Sequence, residues 1–302
     1  MDTLSLNIMN TNFYIEISGQ RNVNWQEKVE QWLCYVAKEW SRFEQNNELD
    51  TLNQLKIGET LQLSADLYDC LKLADEYYML TNQLFSPYLK YDLERHGYNQ
   101  SFPFKEAART SIQIDQTDGK PLLFLNEQRV LKMDDQQVDL GGFAKGYVVE
   151  KIAQWLQHEV APEYGIVDGG GDMKMWSSGE KVWTIGIAHP SKNNEEMHYI
   201  KMRNGAIATS NRVFRSWRQD GKAKHHLLNG QTGEVIDSAI LQTTVVTNSL
   251  CVAEVATKLC FLLHEADFQQ WFDKQKLPCA CFIVKEDGNS YWLKGGEQID
   301  VS

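Results

Sequence analysis

What the chain lacks sets its limits first. Its six cysteines, Cys34, Cys70, Cys251, Cys260, Cys279 and Cys281, form no CxxC pair and no CxxC…CxxC framework, which argues against a zinc site. No stretch approaches the roughly 18 apolar residues of a membrane span. Met1 to Asn12 has neither a basic n-region nor a lipobox-like cysteine, so the expectation is a cytoplasmic protein without a signal peptide. Positive charge is scarce: Lys and Arg number 30 against 41 Asp and Glu, a formal net charge of -11. An acidic surface repels phosphate backbones and makes nucleic acid a poor partner. A dinucleotide is not excluded, because a pocket needs only local donors. No internal repeat, low-complexity linker or clean domain boundary is visible, so a single domain over 1–302 is expected.

A hydrophobic content of 42% with 11% aromatics supplies a full core and excludes bulk disorder. Thr11 to Ser18 alternates as a strand does. Asn24 caps a helix to about Phe43, with Trp25, Val29, Trp32, Leu33, Val36 and Trp40 on one face. A polar loop with Asn46, Asn47 and Glu48 follows, and Ser64 caps a second helix through about Leu84. Residues 85–110 read as irregular. Short strands fit 111–115, 121–125 and 129–133, and Ala144 to Val160 reads as a helix. Gly165 to Asp168, Val182 to Ala188, Tyr199 to Arg203, Ala206 to Thr209 and Thr243 to Asn248 read as strands, the last feeding a helix from Leu250 to Leu263. Cys279 to Lys285 and Ser290 to Lys294 form a terminal strand pair, with Cys279 and Cys281 on one face. All six thiols are expected reduced and buried. Strands and helices do not alternate regularly, which predicts an α+β fold.

Four segments carry chemistry. Val138 to Tyr147 (VDLGGFAKGY) is a strand end, two glycines and a helix start. Gly141 and Gly142 let a ligand approach backbone N–H groups, the helix N-terminus adds partial positive charge, and Lys145 adds a full one; the plain alternative is a strand-to-helix turn. The GxxxxGK[ST] spacing of a Walker A loop is absent. Asp168-Gly169-Gly170-Gly171-Asp172 removes side chains after an apolar strand, without the third glycine of a Rossmann fingerprint; a ribose or adenine contact and a tight turn both fit. Ala208-Thr209-Ser210-Asn211 places hydroxyls at a strand end, and His225-His226 precedes a turn at Asn229-Gly230, where a histidine serves as base, ligand or surface residue. Glu254, Thr257 and Lys258 sit in the first turns of the last helix read from the sequence, where an acid commonly just complements the dipole.

Taken in order, these segments resemble the ApbE family of FAD:protein FMN transferases: an Asp-Leu-Gly-Gly-x-Ala-Lys-Gly block, a Gly-Gly-Asp, an Ala-Thr-Ser, a His followed by Thr-Gly, then an acid on a carboxy-terminal helix. Met9-Asn10-Thr11, Trp40-Ser41-Arg42-Phe43, Glu48-Leu49 and Leu52-Asn53 extend the likeness to the start of the chain. The resemblance implies mixed, T-fold-type β-sheets flanked by helices, with a flavin dinucleotide cleft between lobes. It implies a reaction in which FAD is cleaved with magnesium, AMP leaves, and FMN is joined to a Thr or Ser of an acceptor flavoprotein. By position, Phe43 matches an aromatic that stacks on flavin or adenine. Gly141, Gly142 and Lys145 match the phosphate-side loop, and Gly170, Gly171 and Asp172 the nucleotide-side turn. Thr209 and Ser210 join the cofactor set. His226 matches the base for the acceptor hydroxyl and stands with Lys145 as catalytic. The Ala144 carbonyl, Glu254 and Thr257 are the metal-ligand candidates.

The chain departs from that pattern in places. The family's His-Ile-Ile-Asp-Pro reads His226-Leu227-Leu228-Asn229-Gly230, its Thr-Ser-Gly reads Thr209-Ser210-Asn211, and its Asp-Pro-Thr reads Ser86-Pro87-Tyr88. Its Ala-Asp-x-x-x-Thr fits in two registers. In one, Glu254 stands for the Asp and Lys258 for the Thr; in the other, Thr257 keeps its place and Ala253 stands for the Asp. The first is preferred because it retains an acid. It also sets a positive charge where a cation belongs, a repulsion of order 4 kcal/mol at ~4 Å and an effective dielectric near 20. An FAD-binding homologue without transfer activity is therefore the alternative reading, and a scaffold with no flavin site is a third.

Overall fold

The computed structural model of the chain describes residues 1–19, 24–107, 120–192, 195–275 and 279–295. The strand expected at 111–115 lies outside them. In chain order the elements are β1 (Asp2–Ile8), β2 (Thr11–Ile17), α1 (Trp25–Glu39), α2 (Glu48–Asn53), β3 (Thr60–Gln62), α3 (Ala65–Leu80), α4 (Lys90–Arg95), β4 (Leu122–Phe124), β5 (Arg129–Lys132) and α5 (Ala144–Trp155). There follow β6 (Tyr164–Gly169), β7 (Met173–Ser177), β8 (Trp183–Ala188), β9 (Glu196–Met202), β10 (Gly205–Asn211), β11 (Ser216–Gln219), β12 (Lys222–His225), β13 (Ile240–Thr247), α6 (Leu250–Leu262), α7 (Glu265–Gln275), β14 (Cys279–Lys285) and β15 (Ser290–Gly295). The fold is α+β with antiparallel strand pairing. No helix among the described residues is long and apolar enough to cross a membrane.

The chain divides into two compact units, one of Met1–Cys34, Lys145–Phe214 and Asp237–Ser302, the other of Tyr35–Ala144 and Arg215–Ile236. The first unit is built on an eight-stranded sheet ordered β1-β2-β6-β7-β10-β13-β14-β15. Ile166, Met175, Ile207, Val246, Phe282 and Val284 of this sheet pack with Trp183, Ile187, Ile200 and Met202 of the β8–β9 hairpin. α6 packs on β10 and β13. It is buried nearly all round, from Leu250 to Phe261, which explains a helix without a strong apolar stripe.

The second unit holds the sheet β3-β5-β4 and the hairpin β11-β12. Ser64 caps α3 as predicted, accepting the Leu67 N–H. Asn53 is buried and mimics a strand: its Oδ1 accepts the Val138 N–H at 2.7 Å, and its Nδ2 donates to the Val138 carbonyl at 3.0 Å. That pair fixes the segment leading to Gly141.

Several expectations need correction. The polar loop at 46–48 opens a helix: Asn47 accepts the Asp50 N–H and caps α2. The irregular stretch 85–110 contains α4, whose C-terminal end bonds back through the His96 and Gly97 amides. α1 stops at Glu39 and α3 at Leu80, short of Phe43 and Leu84. The helix expected to Val160 ends as α-helix at Trp155 and closes in a π turn over Leu156–Val160, with Ala161 left-handed at φ 49°. The strands β1, β3, β7, β11 and β12 and the helix α7 add to what the pattern offered. Five of the six thiols are buried, but Cys34 is exposed.

Candidate functional site

In the first unit the site residues gather around the start of α5. Asp168 to Asp172 is a hairpin turn joining β6 to β7, closed by the Gly169 N–H on the Asp172 carbonyl at 2.9 Å. Its two central residues, Gly170 and Gly171, have φ of 84° and 101°, the sign a primed hairpin turn demands and glycine adopts freely. A Cβ at Gly170 would lie 1.7 Å from Thr11 Oγ1, whereas one at Gly171 would meet open space. The Gly170 and Gly171 amides both donate to Asp168 Oδ1, at 2.8 and 2.7 Å. An anion at this turn therefore competes with a carboxylate that already holds them. Burial pushes the Asp168 carboxyl up, offset in part by those amides and by Lys145.

Asp172 is buried, ion-paired with Lys145 Nζ, and accepts the Thr209 N–H at 3.2 Å. Burial raises its carboxyl above the usual range, Lys145 opposes the rise, and the nearby Glu254 adds to it. Glu254 moves the other way. Burial alone acts to raise it, but Lys258, Lys145 and the Gly146 N–H together hold it below the ordinary carboxylate value.

Gly146 has a packing reason. A Cβ there would sit 2.4 Å from Glu254 Cγ, so only glycine lets the Glu254 side chain lie against the first turn of α5. The hydroxyls form a ladder across β10, β13 and α6. Thr209 Oγ1 pairs with Thr244 Oγ1 at 2.9 Å, Ser210 Oγ with Thr257 Oγ1 at 2.8 Å, and Thr257 Oγ1 donates to the Glu254 carbonyl at 2.9 Å. Lys258 Nζ donates to Glu254 Oε2 at 2.8 Å and to the Glu254 carbonyl at 2.9 Å. The structure thus brings together Lys145, Asp172, Glu254 and Lys258, with Thr209, Ser210 and Thr257 along the same strands and helix. Among the described residues, no group of three or more His, Cys, Asp or Glu can hold a metal ion.

In the second unit, Gly141 and Gly142 follow Asp139 and lead to Ala144, the buried first residue of α5. The Gly141 N–H donates to Asp139 Oδ1 at 2.9 Å, and Asp139 Oδ2 meets Arg42 Nε at 2.6 Å. The Arg42 guanidinium lies 4.3 Å from the Phe43 ring centroid and 4.4 Å from that of Tyr98, against both rings, which themselves meet at 5.9 Å. Phe43, the stacking candidate, is half-buried and edges an aromatic group of Tyr98, Phe104 and Trp217. Arg42 and Asp139 were not among the sequence candidates. Their signal was the Ser-Arg-Phe and Asp-Leu-Gly-Gly segments themselves.

The histidine pair separates into two roles. His225 is buried: its Nε2 meets the Ile236 carbonyl at 3.1 Å and its Nδ1 accepts the Leu227 N–H at 3.3 Å, which fixes the ring in place. His226 is half-buried, with Nδ1 3.4 Å from the Arg215 carbonyl.

Residues 9–283 match the model of the ApbE family. The chain belongs to the ApbE family. It is 29% identical over 173 residues, 57% of this chain, to an FAD:protein FMN transferase of Klebsiella pneumoniae, of which the match spans about half (50%). It is 22% identical over 291 residues, 92% of this chain and 84% of the relative, to the FAD:protein FMN transferase of Buchnera aphidicola. Among solved structures, the ApbE protein of Thermotoga maritima superposes with a TM-score of 0.81 at 22% identity, over 98% of this chain and 97% of that one. The flavin transferase ApbE of Vibrio cholerae gives 0.76 at 22%, over 97% and 96%. At such identities these two structures establish the fold of this ApbE family member, the mixed α+β architecture described above.

Proposed function

We propose that this ApbE family member binds FAD and transfers its FMN moiety to a Thr or Ser hydroxyl of an acceptor flavoprotein. The acceptor oxygen attacks the FMN-side phosphorus, the bridging P–O bond breaks, AMP leaves, and the hydroxyl proton passes to a base. The observation that carries the reading is the buried Lys145–Asp172 pair at the start of α5, beside the Thr209 amide. A helix N-terminus with a fixed ammonium suits a diphosphate. Relatives named FAD:protein FMN transferase support it.

In this reading Lys145 stabilises charge on the transferring phosphate, and Gly170, Gly171, Asp172, Thr209 and Ser210 shape the nucleotide side. Gly141 and Gly142 approach the phosphates, Phe43 stacks on a ring of the cofactor, and His226 takes the acceptor proton. The family likeness also implies magnesium on Ala144, Glu254 and Thr257. The donors do not fit it. Glu254 is held by Lys258, whose ammonium occupies the carboxylate a cation would need, and the Thr257 hydroxyl already bonds Ser210 and the Glu254 carbonyl.

The test adds FAD to the purified chain and follows flavin fluorescence, AMP release and covalent FMN on a co-expressed acceptor. The expected result is a yellow chain that releases AMP. His226→Ala should keep FAD while losing about 10²–10⁴ in rate. A chain that never binds FAD overturns the proposal. FAD bound without AMP release or labelled acceptor identifies a binder without transfer activity.

A further inference from the structure

Lys145, Asp172, Glu254 and Lys258 form one buried group of alternating charge within the first unit. Lys145 pairs with Asp172 and Lys258 with Glu254. The two carboxylates act on each other, and Lys145 acts on both. The Lys258 ammonium neutralises Glu254 directly, so a divalent cation brought to that carboxylate must first evict Lys258.

The pair is not explained by stability. Glu and Lys one turn apart normally lie on a solvated helix face and contribute a few tenths of a kcal/mol. Here they sit on a helix whose other residues are almost all apolar and buried, with side-chain exposures of 7% for Glu254 and 16% for Lys258. Burying an ion pair gains little or nothing over well-packed apolar residues. An ion pair kept in such a helix points to a use beyond folding, and its less buried end is the ammonium.

We infer that the Lys258 ammonium takes the place a divalent cation would hold: it neutralises Glu254 at the start of α5 and, with Lys145, supplies the positive charge for the diphosphate of FAD, so that binding needs no metal. This rests on the reading that the chain binds FAD. No bond changes in this role. Lys258 shares its protons between Glu254 and phosphate oxygens, and Glu254 holds it in position.

Two measurements test it. The first titrates the chain without FAD with Mn²⁺, read by electron paramagnetic resonance. Wild type should not bind the ion. Lys258→Thr, which frees Glu254 and sets a hydroxyl one turn away, should bind it at least about tenfold more tightly. Circular dichroism checks the fold of the variant, and Lys258→Met, of matching length, is read the same way if the threonine variant unfolds. Mn²⁺ binding by wild type, or no gain on removing Lys258, overturns the inference. The second measures FAD affinity of wild type in EDTA and in Mg²⁺. Equal affinity supports the inference, and a gain of about tenfold or more with Mg²⁺ overturns it. A chain that binds FAD in neither buffer defeats the FAD reading alone, and the Mn²⁺ titration then decides the role of Lys258.

Discussion

The carboxylate of Glu150 accepts the backbone N–H of Leu250 at 2.7 Å, so α5 supplies the anion that caps the start of α6. It also takes the Cys251 N–H and the Ser249 hydroxyl, both at 3.1 Å, and meets Lys174 at 3.3 Å. The service is returned: the Glu254 side chain of α6 lies against Gly146 in the first turn of α5, whose N–H helps hold its carboxyl below the ordinary value. Each helix dipole is answered by a carboxylate on the other helix.

Removing one of these caps has a readable cost. Glu150→Gln should destabilise the chain by about 1–2 kcal/mol and lower the thermal midpoint by a few degrees in calorimetry. An unchanged midpoint means the amides of Leu250 and Cys251 find other partners.

Gly146→Ala should also destabilise, although alanine is the better helix former by about 1 kcal/mol. The added methyl meets Glu254 Cγ, and displacing that carboxylate costs about 1–3 kcal/mol by overpacking. Urea unfolding gives the sign directly; a stabilised variant would show that Glu254 moves aside freely.

Asp139→Asn tests the Arg42 ion pair. Side-chain exposures of 5% for Arg42 and 9% for Asp139 leave the guanidinium without a compensating charge once the carboxylate is gone, a loss of about 3–5 kcal/mol. The asparagine can still accept the Gly141 N–H, so a loss of this size on denaturant unfolding belongs to the charge.

Lys132 gives the chain an alkaline pH response. Its side chain is buried and donates to the Gln136 carbonyl. Burial pulls its ammonium down to about 8, against the pull of Asp134 and Asp135. An unfolded lysine keeps its proton to about 10.4. Between these values the unfolded chain binds more protons, so stability rises with pH across that window and is lost again as pH falls back to 8. The rise should be of order 3 kcal/mol in unfolding curves recorded at successive pH values. Lys132→Met should flatten it.

The thiols should react in two classes. Cys34 is exposed and the other five are buried. Cys260 and Cys281 lie with sulfurs 3.2 Å apart, and burial raises the Cys260 and Cys279 thiols. A thiol-disulfide reagent should titrate Cys34 quickly and the rest only on unfolding; Cys34→Ser should remove the fast phase.

Where local pattern and packing agreed, the sequence was readable. Ser64 before a periodic run does cap α3, and the apolar stretches around Val245 and Ile283 are central strands. α2 escaped because Glu48 and Asp50 make its first turn look like a loop, and its burial comes only through Leu49, Leu52 and Asn53. β1 carries a clean alternation of Leu4, Leu6 and Ile8, but as an edge strand it is at most half-buried and gives a faint signal. At the site, the glycine turns were visible while the owners of their amides were not. Asp168 and Asp139 claim them through short local bonds. Glu254 reads as complementing the dipole of its own helix. It complements that of α5 instead, a relation between distant segments that no local pattern encodes.

The sheet order has a kinetic consequence. β2 pairs with β6, yet the whole of Tyr35–Ala144 is threaded between them in the chain. Closing so long a loop is entropically slow, and contacts this non-local delay collapse to the native state. Refolding after dilution from denaturant should therefore lag behind that of a helical protein of equal size, with the β2–β6 seam among the last backbone pairings to gain protection from hydrogen exchange.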